Sequence, residues 1–233
     1  MIDWHSHMLP QMDDGSKSIE ESLAMLKMQS EQGVDTVIAT PHFYANDESV
    51  ESFLQRRREA YEKIEPSLSE ELPRVLLGAE VAYYSGISRM EDLSKLCIEG
   101  TKLLLLEMPF SKWTDYVIKE VRELALQRRV VIILAHIERY LGFQSVSVFE
   151  ELIEYGVIMQ VNASFFCRFS TRRNAIKLLN SGIVRLVGSD AHNLSVRPPK
   201  LFEAYRYIEK NLSKDFIWDM EEYGKKLLTK YSN

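Results

Sequence analysis

The sequence predicts an α/β fold with a parallel sheet, either a βα barrel or a doubly wound sheet, and three observations carry that prediction. Short apolar runs alternate with stretches of helical periodicity about seven times. Most of these runs are continuously apolar, as strands buried on both faces of a parallel sheet are. The metal-type residues fall at or just after the ends of the runs, where barrels of this kind keep their chemistry.

The first run, Ile2-Asp3-Trp4-His5-Ser6-His7, ends in two histidines at i and i+2. On a strand these share a face, so both imidazoles reach one point just past its end. A bare His-x-His is as readily a pair of solvated histidines; the later histidines, placed alike, favour a site. Pro10 and Asp14-Gly15 mark a loop. Ser18 and Glu21 form a capping box, and the helix behind it places Ile19, Leu23, Met25 and Leu26 on its inner stripe and stops near Gly33. Thr36 to Ala39 is the second strand, closed by Thr40-Pro41-His42, and a polar helix runs from Val50 to Lys63. The third strand, Val75 to Glu80, ends in a carboxylate; the fourth is Leu103 to Glu107. Trp113 to Arg128 is helical, Val130 to Ala135 is the fifth strand, and His136 follows at once. A helix from Val146 to Tyr155, a strand from Val157 to Asn162 and a helix from Arg172 to Ser181 follow. The seventh strand, Val184 to Gly188, leads into Ser189-Asp190-Ala191-His192, and the chain from Pro199 on is helical and packs outside.

The 233 residues suit a single domain spanning 1–233, with 45% hydrophobic and 27% charged residues. The net charge of −5 argues against general binding to nucleic acid or anionic membrane. No apolar run approaches the roughly 18 residues of a membrane span. The opening residues lack the basic and apolar regions of a secretory signal. Cys97 and Cys167 form no framework, which fits a reducing cytoplasm, and both read as ordinary thiols outside the Cys-x5-Arg context of a reactive phosphatase cysteine.

Five histidines, Glu80, Asp190 and the Asp13-Asp14 pair exceed what one mononuclear site needs. Their number points to two or three divalent ions with Glu80 bridging. Mixed carboxylate and imidazole suits manganese, iron or zinc rather than magnesium alone. The plain alternative makes Glu80 and Asp190 helix caps or ion-pair partners.

The ordered set Asp3-x-His5-x-His7, Asp13-Asp14-Gly15, Thr40-Pro41-His42, Gly78-Ala79-Glu80, Ala135-His136-x-Glu138-Arg139-Tyr140, Gln160-x-Asn162-Ala163 and Gly188-Ser189-Asp190-Ala191-His192 with Arg197-Pro198-Pro199 resembles the polymerase-and-histidinol-phosphatase (PHP) superfamily. It is most similar to the bacterial PHP-type protein-tyrosine phosphatases of capsular and exopolysaccharide synthesis. The resemblance covers nearly the whole chain. It implies a distorted seven-stranded (β/α)7 barrel, a trinuclear site typically supported by manganese, and phosphotyrosine hydrolysis in the cytoplasm, on a tyrosine kinase that controls capsule synthesis. By position, His5, His7, Glu80 and Asp190 would hold one ion, Glu80, His42 and His136 a second, and His192 with Asp14, favoured over Asp13, a third. Ile137 and Gln11 depart from the family's usual residues, at positions that are not ligands. The expected catalytic set is His42, His136, Arg139 and Arg197, the two arginines gripping phosphate through their guanidinium forks. A small-molecule phosphatase, above all for histidinol phosphate, and a PHP module that binds without catalysing are the other readings. Trp113, Tyr83, Tyr84, Phe43, Tyr44 and Tyr140 are each more simply core or rim than substrate wall, and Arg56-Arg57-Arg58 more simply a solvated helix face.

Overall fold

In the computed structural model, which describes residues 1–232, the seven apolar runs become nine strands. They are β1 (Ile2–Ser6), β2 (Thr36–Ala39), β3 (His42–Phe43), β4 (Arg74–Leu77), β5 (Glu80–Ala82), β6 (Leu103–Glu107), β7 (Val131–Leu134), β8 (Ile158–Asn162) and β9 (Val184–Gly188). Every pairing among them is parallel. They form two sheets, ordered β1-β2-β4 and β3-β5-β6-β7-β8-β9, and not the single seven-stranded barrel expected.

The physical reason lies at two breaks. Proline has no N–H to continue a ladder, and the second run stops at Thr40-Pro41. The third stops at Gly78-Ala79. Each resumes as a short strand, and the resumed strands pair His42 with Glu80. The breaks are stitched by Gly78 N–H to Ala39 O at 2.8 Å and Glu80 N–H to Pro41 O at 3.0 Å. The two ends of the strand series also lie side by side. Asp190 N–H donates to His5 O at 2.7 Å and His7 N–H to Ala191 O at 2.8 Å, around a parallel bridge between Ser6 and Ala191.

Both faces of the strands are buried. Ile2, Trp4, Ile38, Leu76, Leu105, Ile133 and Leu186 belong to one apolar cluster. Their neighbours Val37, Leu77, Leu104, Leu134 and Val187 belong to a larger one shared with the helices. This accounts for the continuous apolar runs. The helices are α1 (Ile19–Glu31), α2 (Val50–Ile64), α3 (Asp115–Leu126), α4 (Val146–Glu154), α5 (Ala163–Cys167), α6 (Arg172–Asn180), α7 (Leu201–Asn211) and α8 (Lys214–Lys230). Helix α5 was not foreseen, and the C-terminal helical stretch divides in two at Ser213, the N-cap of α8. α8 carries Leu227 into the first cluster, and Tyr231 just beyond it accepts from Lys102 N–H at the start of β6.

Two expectations on the helices are corrected. In α1 the Ser18 cap forms, but the fully buried stripe is Ser22, Met25, Leu26 and Gln29, with Ile19 and Leu23 only partly covered. Polar Ser22 and Gln29 are tolerated inside because Ser22 meets Ser16 Oγ at 2.8 Å and Gln29 donates to Asp3 at 2.5 Å. The arginine triplet is a solvated face only at Arg56 and Arg58. Arg57 is buried on the stripe of Phe53, Ala60 and Ile64, and its Nη1 donates to Gly78 O at 2.6 Å. Arg56 reaches Met12 O at 2.8 Å and pairs with Glu48 at 2.6 Å, and Arg58 pairs with Glu62 at the surface.

Candidate metal centre

The site is built on strand ends around Glu80, which is 1% exposed. Its Oε1 lies 2.8 Å from His136 Nε2, and its Oε2 lies 3.1 Å from His5 Nε2, 3.2 Å from His7 Nε2 and 3.1 Å from His42 Nδ1. Four imidazoles thus meet one carboxylate. His5 and His7 converge as their spacing requires, with their Nε2 atoms 3.0 Å apart. Asp190 Oδ1 is 3.7 and 3.5 Å from the same two nitrogens. Burial pushes the Glu80 and Asp190 carboxyls up, but the cationic groups around them outweigh it and hold both well below the usual range.

Asp13 and Asp14 are separated by the loop between β1 and α1. Asp13 is largely buried and turned toward His7 Nδ1 at 2.7 Å, and it also accepts from His42 N–H and Gly15 N–H, both at 2.9 Å. Burial raises its carboxyl, but the bond to His7 prevails and holds it at about 2. A carboxylate behind a ligating imidazole fixes the tautomer and the ring plane. Asp14 faces the other way, with Oδ1 3.2 Å from His192 Nε2 and 3.6 Å from His42 Nε2. Gly15 is required here, because a Cβ would sit 2.2 Å from His7 O. Burial, reinforced by the positive charge of His7, pushes His192 down to about 4.

Behind β1, Asp3 accepts from Ser189 N–H at 2.6 Å, Ser189 Oγ at 2.5 Å and His5 N–H at 3.2 Å, which ties the first strand to the segment bearing Asp190. Both expected arginines arrive at Asp190 Oδ2: Arg139 hydrogen-bonds it through Nη2, and Arg197 Nη2 lies 2.7 Å away. Asn162 Nδ2 donates to the same oxygen at 2.8 Å. A cavity of about 530 Å³ opens beside them, reaching Ser164, Arg168 and Lys200.

The candidate ligating atoms fall into four groups, each within 4.8 Å: His7, Asp14, His42 and His192; His5, His7 and Asp190; His5, Glu80 and His136; and His42, Glu80 and Glu107. All eight expected ligands are therefore in one place. The groups overlap differently from the assignment by position, with His7 and His42 beside the His192–Asp14 pair. The donor set fits divalent cations. Three lone-pair atoms, His5 Nε2, His7 Nε2 and Glu80 Oε2, lie within 3.2 Å of one another, more than shared protons can satisfy. His192 Nε2 is buried and makes no hydrogen bond, although Asp14 Oδ1 is near.

Glu107 and Phe110 were missed as site residues, and Gln160 was quoted in a motif without a role. Glu107 stands at the end of β6 with Oε1 3.2 Å from His136 Nε2, the same strand-end signal that picked out Glu80. Gln160 accepts from His136 N–H at 2.7 Å. Phe110 stacks on His136 with ring centres 5.9 Å apart. The aromatic expectations divide: Phe43, Trp113 and Tyr140 are core, Tyr83 and Tyr84 pack at its edge, while Tyr44 is exposed and stacks on His42 at 5.3 Å. Cys167 and Arg173 do have the Cys-x5-Arg spacing of a cysteine-phosphatase loop. The thiol reading stands for another reason: Cys167 closes α5, bonds Ala163 O at 3.3 Å, and burial pushes it up to about 12.

A family model described as capsular polysaccharide synthesis, CpsB/CapC, matches residues 1–227. The chain is 34% identical to the tyrosine-protein phosphatase CpsB of Streptococcus pneumoniae, covering 90% of each. It superposes with a TM-score of 0.86, at 27% identity, on a chain from the crystal structures of YwqE from Bacillus subtilis and CpsB from S. pneumoniae, metal-dependent tyrosine phosphatases; all of this chain and 96% of that one are covered. A Listeria monocytogenes structure named for histidinol phosphatase aligns with a TM-score of 0.51 at 12% identity, over 82% of this chain and 95% of that one, which is a likeness of fold alone.

Proposed function

This chain belongs to the CpsB/CapC family of capsular polysaccharide synthesis, and from that premise we propose that it is a metal-dependent protein-tyrosine phosphatase. The observation that carries the reading is the meeting of a five-histidine, four-carboxylate cluster with two guanidiniums that share one of its carboxylate oxygens. A cation-binding floor and an anion-binding rim within one site suit a phosphate monoester.

In this reading His5, His7, His42, Glu80, His136, Asp190, His192 and Asp14 hold two or three ions, manganese being expected and iron or zinc admissible, with Glu107 as a further donor. Bound there, such ions supply Lewis-acid stabilisation of phosphoryl oxygens and a water-derived nucleophile at neutral pH. Arg139 and Arg197 bind and orient the phosphoryl group, exchanging part of their grip on Asp190 for phosphate oxygens. Asp13 keeps His7 in the ligating tautomer, and Asp3 with Ser189 holds His5 and Asp190 in register. The leaving tyrosyl oxygen has a pKa near 10, so a strong general acid is not required. The substrate is a phosphotyrosine of a protein, in particular a tyrosine kinase governing capsule or exopolysaccharide synthesis. The setting is the cytoplasm, and 1–233 acts as one domain; among the described residues no helix is long and apolar enough to cross a membrane.

The test is hydrolysis of phosphotyrosyl peptide before and after chelation. Manganese should restore what the chelator removes, and histidinol phosphate should be turned over far more slowly. Full activity in excess chelator after extended dialysis would overturn the metal dependence. Preference for histidinol phosphate would overturn the substrate class.

A further inference from the structure

Phe110 lies on the 109–113 segment just after β6, and half of it is exposed. Its ring is nevertheless fixed. It stacks on Tyr140, with centres 5.6 Å apart and planes 29° apart, and on His136, at 5.9 Å and 26°. The Arg139 guanidinium carbon lies 5.9 Å from its centre. The segment is pinned from both sides by buried donors: Trp113 Nε1 bonds Pro109 O at 3.0 Å, and Gln144 Nε2 bonds Ser111 O at 2.8 Å. An apolar ring left half in water, yet held on a braced loop against a candidate ligand and a phosphate-binding arginine, is preorganised for a contact.

We infer that Phe110 is the residue that selects aryl over alkyl phosphate esters, by stacking on the ring of the departing phenol. The inference rests on the phosphatase reading above. A phosphoryl group gripped by Arg139 puts its ester oxygen beside Phe110, so an aromatic leaving group lies along the exposed half of that ring. An alkyl leaving group gains no such contact. Tyr44, the other exposed aromatic against a candidate ligand, stacks on His42 at 5.3 Å. Phe110 therefore acts through the leaving group.

The experiment compares phosphotyrosine with glycerol 2-phosphate, in the manganese-loaded wild type and in Phe110→Ala, Phe110→Leu and Phe110→Tyr. Leucine keeps apolar volume on Tyr140 but has no ring; tyrosine keeps the ring. Alanine and leucine should raise KM for phosphotyrosine roughly tenfold, the scale of one aromatic stack with its buried area. Tyrosine should stay near wild type. The ratio of kcat/KM for phosphotyrosine to that for glycerol 2-phosphate should therefore fall roughly tenfold in the alanine and leucine variants and stay near wild type in the tyrosine variant. An equal fall on both esters, or an unchanged KM for phosphotyrosine in the leucine variant, overturns the inference while leaving the phosphatase reading intact. A wild type that hydrolyses neither ester overturns both.

Discussion

Replacing Arg57 by methionine tests how Glu80 is held in place. The guanidinium is buried, donates to Gly78 O at 2.6 Å and lies 5.6 Å from the Phe53 ring centre. Gly78 is half of the break that separates β4 from β5, two residues before Glu80. Methionine removes a charged hydrogen bond worth ~1.5–3 kcal/mol and a cation–π contact of ~0.5–1 kcal/mol. It also removes a buried cation, whose burial has pushed Arg57 down to about 10 from 12.5 and opposes folding by roughly 3 kcal/mol. These terms nearly cancel, so stability should change by no more than ~2 kcal/mol, or roughly 4–8 °C in Tm. The Gly78 carbonyl, however, is left without its donor, and the segment presenting Glu80 loosens. Metal affinity should fall by roughly 10–100-fold, the scale for losing an outer support of a ligand. Thermal melts of metal-depleted protein and metal titration by calorimetry measure the two separately. Lysine, which keeps a donor on a shorter stem, should recover part of the affinity. A variant that loses stability heavily but binds metal as the wild type does would refute the reasoning, since Arg57 would then serve the core and not the site.

Glu80→Ala should lose metal content as well as rate, because four imidazoles lose their common partner, whereas His192→Ala should leave most of the metal bound; equal metal in wild type and Glu80→Ala by elemental analysis would refute the bridging role. Arg139→Ala and Arg197→Ala should keep metal and fold yet lose roughly 10²-fold in kcat/KM, with only partial rescue by lysine, and wild-type kinetics in both would leave phosphate to the metal alone. Gly188→Ala should cripple metal binding from a distance, since the added Cβ would sit 2.6 Å from His5 Cβ and 2.8 Å from Gln160 Nε2; a variant with normal metal content would mean that β1 and β9 can part at this point without moving His5.

The candidate ligands were legible because a parallel sheet buries both faces and puts its chemistry at one edge, so a polar, metal-type residue closing an apolar run stands out. His5, His7, Glu80, His136, Asp190 and His192 all satisfy that rule. Glu107 satisfies it too and was passed over because none of the quoted motifs contains it. Asp14 over Asp13 was favoured only for its place next to Gly15; in the structure Asp13 is taken up by His7 and two backbone amides, and Asp14 faces His192. Arg57 had a signal in its four-residue spacing from Phe53, which sets it on the apolar stripe of α2, but a run of three arginines hides that periodicity. Phe110 had none, since its orientation comes from Trp113 and Gln144, and the latter is distant in sequence.

The strand ends that carry His136 and Asp190 are shaped for the candidate site. A strand that simply ran on would carry its ligand away from the others, so the chain must turn sharply where the ligand sits. His136 and Asp190 do this with φ of 33° and 52°, in the left-handed region that only glycine enters freely. Each such residue costs roughly 1–2 kcal/mol. The His136 N–H is held by Gln160 at 2.7 Å and the Asp190 N–H by His5 O at 2.7 Å, bonds that fix the turn from a neighbouring strand. Glycine would relieve the strain but would supply no imidazole or carboxylate. The non-glycine residues therefore persist at these φ values because the surrounding bonds over-determine them, which is the situation expected where backbone strain serves a site and not the fold. The same turns lie just past the last paired residues of β7 and β9, so each ends its strand where its side chain is turned toward the other candidate ligands.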